Sequence, residues 1–281
     1  MTGAAVVWND LSTQAVDVAF FAYLAAMVGS FHFLAFRRPL VRRVSLAVTV
    51  LGAGSHLVAL VARGIAADRL PVGNMYEYSL LLTFLVVIAY LVGVERIARV
   101  TTLGGFVLAF VVLTLAVAVV FLYVGPAPLV PALDSYWRTV HVTAMIVSSS
   151  LLALGSVVTI LYLWQERRER RASGAPAPIM GGSIGVEDAP PHFEVDAVRA
   201  GHESAGRFPS AAALDALASR ILSFAFPLWT FAVVAGAIWA ENAWGRYWGW
   251  DPKETWAFIT WVAYAAYLHA RSTAEIGRAH V

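Results

Sequence analysis

Cysteine is absent from all 281 residues, which excludes a disulfide framework, a thiolate metal site and a redox thiol. Charge is scarce as well. Asp, Glu, Lys and Arg make up 14% of the chain, against about 25% in a soluble domain. Hydrophobic residues fill 59% of it, and mean hydropathy is +0.70. This balance excludes a soluble enzyme, a disordered protein and a basic nucleic-acid-binding face. The net charge of +2 decides little, because in a membrane protein the placement of Arg and Lys matters more than their sum. No basic segment and small-residue cleavage site open the chain, so no signal peptide is expected.

What is present is a series of apolar runs of about 20 residues each, the length that crosses a bilayer. They cover roughly 16–36, 44–62, 79–94, 102–124, 138–164, 221–240 and 254–270. Lipid offers the backbone no hydrogen-bond partner, so such runs are helices. The expected fold is all-α, a polytopic transmembrane bundle with seven spans. Its expected parts are a five-span half (1–164), a flexible cytoplasmic linker (165–220), two spans around an external loop (221–271) and a tail (272–281).

The connections alternate in charge. Arg37, Arg38, Arg42 and Arg43 follow the first run, Arg96 and Arg99 the third, Arg167, Arg168, Arg170 and Arg171 the fifth, and Arg271 the seventh. The intervening connections hold few cations. The positive-inside rule then places the arginine-rich turns in the cytoplasm and the N-terminus outside. The linker opens with QERRERR and continues through Ser, Gly, Ala and Pro. A short amphipathic helix over 211–219 is expected before the sixth span. His192 and His202 fall in this linker with no second ligand at metal spacing.

Six of the ten tryptophans fall in WAENAWGRYWGWDPKETWAFITW: Trp239, Trp244, Trp248, Trp250, Trp256 and Trp261. An interfacial aromatic belt is one reading. A belt does not account for Trp244, Tyr247, Trp248 and Trp250 crowding one short loop punctuated by Gly245 and Gly249. The second reading is a platform that holds a large planar apolar ligand by stacking. Asp251 before Pro252, with Glu254 three residues on, reads as an N-cap and capping box at the start of the last helix.

WGRYWGWDPKETW, followed by YLHAR, resembles the WWD signature of heme-handling membrane proteins, and is similar to the CcsA/ResC branch (labelled CcsB in actinobacteria) of System II cytochrome c biogenesis. The likeness is close over 239–271 and extends more loosely to PVGNMYEY (71–78) and WRTVHVTAMIVSSSLL (137–152). It implies a component of a cytochrome c heme lyase complex. Such a protein moves heme b across the membrane and presents it to apocytochrome c, where two thiols of a CxxCH segment add to its vinyl groups. It further implies a ResB-type membrane subunit as partner and a thioredoxin-like thiol reductant outside. Trp239, Trp244, Tyr247, Trp248, Trp250, Asp251 and Trp256 would form the external heme surface. A CcmC-type exporter to a heme chaperone, an unrelated transporter and a purely structural subunit are the competing readings.

A histidine inside a span points to function, with a helix–helix hydrogen bond as the alternative. His141 lies one turn into the fifth span, level with the tryptophan loop. The resemblance implies that it is an axial ligand of the external heme. His269 lies 19 residues after Trp250, ~28 Å along a helix, too far to share that heme. The resemblance implies that it serves a second, transmembrane heme site. For His56 and His32 an interhelical hydrogen bond is the better reading. Arg138, Arg246 and Lys253 could pair with heme propionates or anchor at the interface. Asn74, Tyr76 and Glu77 belong to a shared segment that reads equally well as the start of a helix.

In the family the chain continues to an eighth span carrying a second external His. EIGRAHV resembles a translated sequencing adapter, so genuine sequence is expected to finish near Glu275, and His280 is excluded as a ligand.

Overall fold

The computed structural model describes residues 3–128, 135–173 and 208–279, and all regular structure among them is helical. The helices are α1 (Gly3–Phe36), α2 (Pro39–Ala67), α3 (Met75–Ala89), α4 (Gly104–Phe121), α5 (Tyr136–Ser173), α6 (Ala211–Trp244) and α7 (Pro252–Ala279). A π-helical segment, Tyr90–Ile97, continues α3. His192, His202 and His280 lie outside the described residues.

The helix ends follow from local chemistry. Pro39 opens α2, where its missing N–H costs nothing. The Asn74 side chain accepts from the Glu77 N–H at 2.9 Å and caps α3. Ser210 caps α6 through the Ala213 N–H, and Gly245 closes α6 in the left-handed region. The segment of 71–78 is thus a turn and cap that lead into the first turn of α3. The 211–219 stretch is not a separate helix, because nothing interrupts the chain between it and the sixth span.

Most helices are longer than their apolar runs. The runs measure the hydrocarbon layer, while polar turns such as QERRERR extend the helix beyond it. On α5 that extension carries a Glu166–Arg170 pair at 2.7 Å, four residues apart. Six helices are long and apolar enough to cross a membrane, with α3 and its π segment counted as one. This is a multi-pass membrane architecture. The seventh expected run, on α7, falls short of that apolarity because Trp256, Trp261, Tyr264, Tyr267 and His269 replace aliphatic residues.

Neighbouring helices run antiparallel. Asn9 of α1 meets Arg63 of α2, while Gly29 lies against Ser45. The main core joins α1–α5, with Tyr23, Leu80, Leu108, Leu115 and Leu154 wholly buried, and Leu214 and Ala218 of α6 close it. A smaller cluster of Leu152, Leu222 and Ala225 joins α5, α6 and α7. Phe21, Leu51, Leu113, Phe121 and Phe224 point outward, as lipid-facing side chains do.

The two ends of the bundle differ. At one, the arginine-rich turns gather. Arg42 pairs with Glu95, and Arg271 meets both carboxylate oxygens of Asp215 at 2.8 and 2.9 Å. The other end holds Arg63, Glu77, Arg138, His141 and the loop between α6 and α7. His56 keeps its expected interhelical contact, with the Tyr23 hydroxyl 3.4 Å from Nδ1. His32 does not. Its ring lies against Phe36 of its own helix, 4.5 Å between centroids.

Candidate functional site

The site is built where α5 enters the bundle beside the end of α6. His141 is half-buried, and its Nδ1 lies 2.8 Å from the Ala232 carbonyl on α6. A carbonyl only accepts, so Nδ1 carries the proton and donates. Among the described residues this is the one hydrogen bond of the ring, and Nε2 is the nitrogen left with its lone pair. A bonded Nδ1–H that fixes the tautomer is how metal-ligating imidazoles are oriented. The Trp239 ring stacks on His141 at 5.8 Å and 20°, and Trp244 leans on Trp239 at 4.9 Å. The Trp239 indole N–H is buried and has no partner among the described residues.

A second aromatic run lies along the loop and α7. Trp248 meets Trp250 edge-on, both contact Phe258, and Phe258 stacks on Trp261 at 7°. Trp261 Nε1 donates to Thr230 Oγ1 at 2.9 Å, which ties α7 to α6. Trp244, Tyr247, Trp250 and Trp256 are each at least half exposed, so the loop presents aromatic faces outward. Tyr247 and Trp256 make no ring contact among the described residues.

The loop is held by its own carboxylates. Asp251 Oδ1 accepts from the N–H groups of Lys253 and Glu254 at 2.8 and 2.9 Å. Glu254 Oε2 reaches back to the N–H groups of Gly249 and Asp251 at 2.6 and 3.3 Å. This is a capping box extended two residues into the loop, to Gly249. It fixes Trp250 at φ 57°, a left-handed conformation that a bulky residue seldom adopts. Glu254 also faces Arg246 at 3.8 Å, and Lys253 is exposed.

Near the start of α5 lies a buried charge cluster. Glu77 is wholly buried and accepts from Arg63 Nε at 3.0 Å, Arg69 Nη1 at 2.7 Å and the Gly73 N–H at 2.7 Å. Arg63 also reaches Asn9 and the Val124 carbonyl, over the Tyr76 ring. The segment so fixed presents the Val72 carbonyl to buried Arg138, whose Nη1 donates at 3.2 Å. Arg138 stands one turn before His141, so these charges set the start of α5. Arg63 is the functional residue that the sequence reading misses, because it falls just past the apolar run ending at Ala62. An arginine directly following such a run is the signal that could have found it.

His269 is placed elsewhere. Its ring is exposed on α7, two residues before Arg271, at the arginine-rich end. The Asp215 hydrogen bond holds the Arg271 guanidinium above its ordinary pKa. The structure does not bring His141 and His269 together.

A single imidazole beside a wide aromatic surface does not make a site for a bare ion. Among the described residues no three His, Asp or Glu side chains gather at metal-binding distance. The donor set instead fits an iron already held by a planar macrocycle.

Residues 72–280 match the Cytochrome C assembly protein family. The chain belongs to that family. It is 37% identical to the cytochrome c biogenesis protein CcsA of Gloeobacter violaceus, over 92% of this chain and 83% of that one. The CcsA proteins of Porphyra purpurea and Synechocystis are 34% and 33% identical, over 94% and 92% of this chain and 86% and 85% of theirs. The family match contains His141, His269 and the whole loop between α6 and α7. These likenesses do not favour the exporter or the unrelated transporter.

Proposed function

We propose that this chain carries heme b to the loop end of the bundle and presents it to apocytochrome c. Its part in c-type cytochrome maturation follows from the family. The heme-binding residues rest on the site itself. The observation that carries the reading is the 2.8 Å bond from His141 Nδ1 to the Ala232 carbonyl, which leaves Nε2 to ligate iron beside Trp239 and Trp244.

The arginine-rich end lies in the cytoplasm and the aromatic loop outside, as the positive-inside rule requires. Trp239, Trp244, Tyr247, Trp248, Trp250 and Trp256 supply the surface for the macrocycle. Asp251 acts through the backbone, holding the loop that carries Trp248 and Trp250. His269 serves a second heme site within the membrane. Its exposed ring suits a site shared with a ResB-type membrane subunit.

Each thiol of the apocytochrome CxxCH segment adds across one vinyl C=C, sulfur to one carbon and hydrogen to the other. A thioredoxin-like reductant outside keeps those thiols reduced. With no cysteine, this chain contributes binding, orientation and control of the iron.

The test is the reduced optical spectrum of the protein purified with its partner subunit, wild type beside His141→Ala and His269→Ala. Low-spin heme bands in the wild type, altered in each variant, support the reading. A heme-free wild type from heme-replete cells defeats it.

A further inference from the structure

We infer that Gly236 is a positioning residue for His141, and that α6 offers a purpose-shaped seat for its ring. The inference rests on the reading of His141 as a heme ligand. Ala232, Gly236 and Trp239 stand at i, i+4 and i+7, on one face of α6. Each meets a different part of the imidazole. The Ala232 carbonyl takes the Nδ1–H, and a helix carbonyl can accept a second hydrogen bond on its other lone pair. Trp239 covers the ring face. Gly236 supplies space: a Cβ there would lie 2.6 Å from His141 Cε1, 2.7 Å from Nδ1 and 3.3 Å from Nε2.

Those atoms belong to a rigid ring that is bonded at Nδ1 and stacked on one face. It cannot yield like the tip of a long side chain. A methyl group at 236 pushes the imidazole off the Ala232 carbonyl, frees the tautomer and turns Nε2 away. Close helix packing alone is the competing role for a glycine in a membrane helix. The same helix pair contains a control for it. A Cβ on Gly155 of α5 would lie 2.6 Å from Leu222 Cδ2, the far end of a flexible side chain on α6. Gly155→Ala therefore crowds α5 against α6 without touching His141.

The experiment uses the protein purified with its partner subunit from heme-replete cells. Heme content, reduced spectrum and midpoint potential are compared for wild type, Gly155→Ala, Gly236→Ala, His141→Gly and the double variant His141→Gly/Gly236→Ala. The glycine variants of His141 are also measured with added imidazole. Gly236→Ala is expected to lose the His141-dependent heme signal about tenfold or more, the usual effect of removing an outer-shell partner. Gly155→Ala is expected to keep it. Imidazole is expected to restore low-spin heme to His141→Gly and to the double variant alike, because an untethered ring can move off the methyl group. A wild-type spectrum and potential in Gly236→Ala overturn the positioning role. So does a double variant that imidazole does not rescue while His141→Gly alone is rescued, since the defect then does not act through the His141 ring. A wild-type spectrum in His141→Gly overturns the ligand reading itself, and that pattern differs from either failure of Gly236.

Discussion

Arg63 and Glu77 meet 3.0 Å apart with both side chains 1% or less exposed, inside a bundle whose core is mostly apolar. Arg69, at 2.7 Å, supplies the second positive charge, and the Gly73 N–H supplies a further donor. Every oxygen of the carboxylate is engaged. Such a cluster adds little net stability against an apolar replacement, but breaking it from one side is costly because a buried charge is left alone. Its use here is geometric. It locks 69–77 so that the Val72 carbonyl can receive Arg138, one turn before His141.

Glu77→Ala should therefore destabilise the protein by roughly 3–5 kcal/mol, the cost of orphaning a buried charge. Arg69→Ala should cost less, because Arg63 remains and Arg69 is partly exposed. Thermal unfolding in detergent, followed by helical circular dichroism, reads both. Equal losses would show that the three charges do not act as the geometry implies.

Much of the arrangement was legible in the sequence, and the gaps have physical causes. Apolar length located every helix, because lipid leaves a long apolar run no alternative. It understated helix length, because α5 and α6 continue as polar helix where no bilayer is needed. The Asp251–Glu254 capping box was legible because caps act over three residues. The depth separation of Trp250 from His269 followed from the helical rise alone. The partners of His141 were not legible. A backbone carbonyl leaves no mark in a sequence, and Gly236 in an alanine-rich helix looks like any small residue. The role of Arg63 has no mark in the sequence either, because an apolar run ends at the first charge, whether that charge faces water or a buried partner.

Glu254 should matter more for the loop than for the fold. Its Oε2 holds two N–H groups that flank Trp250 and keep the residue at φ 57°. Glu254→Ala should cost about 1 kcal/mol, as loss of a cap does, while amides 249–251 exchange much faster in hydrogen-exchange mass spectrometry. Glu254→Gln keeps an acceptor oxygen and should restore most of the protection. Unchanged exchange in Glu254→Ala would mean that the aromatic contacts alone hold the loop.

The aromatic surface should be graded by contact. Trp250 touches both Trp248 and Phe258, whereas Tyr247 makes no ring contact among the described residues. Aromatic pairs contribute about 0.5–1.5 kcal/mol beyond area. Trp250→Ala should weaken heme retention about tenfold by loosening two pairs, and Tyr247→Ala should do less, since it removes one side chain of the surface and no ring pair. Heme titration of the purified complex separates them. A larger loss in Tyr247→Ala would show that retention rests on direct contact with Tyr247 and not on the ring pairs that hold Trp250.

The Asp215–Arg271 pair offers a test at the opposite end. Its members are 33% and 26% exposed, so solvent screens much of the attraction and the pair adds at most about 1 kcal/mol. Asp215→Asn should barely move Tm. It should nevertheless disturb the heme signal that depends on His269, because Arg271 sits two residues away and the pair sets how α7 lies on α6. The signal that depends on His141 should stay unchanged, since that ring is anchored by α5 and α6 at the far end. The outcome against this is a loss of both signals together, which would couple the two ends through α6.

Sidedness can be read directly because the chain has no cysteine of its own. Tyr247→Cys places one thiol on the exposed loop, and Arg170→Cys places one on the polar end of α5. Neither substitution touches the core, so each variant should insert as the wild type does. A membrane-impermeant maleimide applied to intact cells should label Tyr247→Cys and leave Arg170→Cys unmodified until the membrane is opened. The positive-inside argument demands this order, since by that rule the arginines beside residue 170 would be retained in the cytoplasm. The reverse order would put the aromatic loop on the side where heme is made. His141 would then stand at heme uptake and His269 at delivery, which inverts the direction of transport while leaving every distance in the site unchanged.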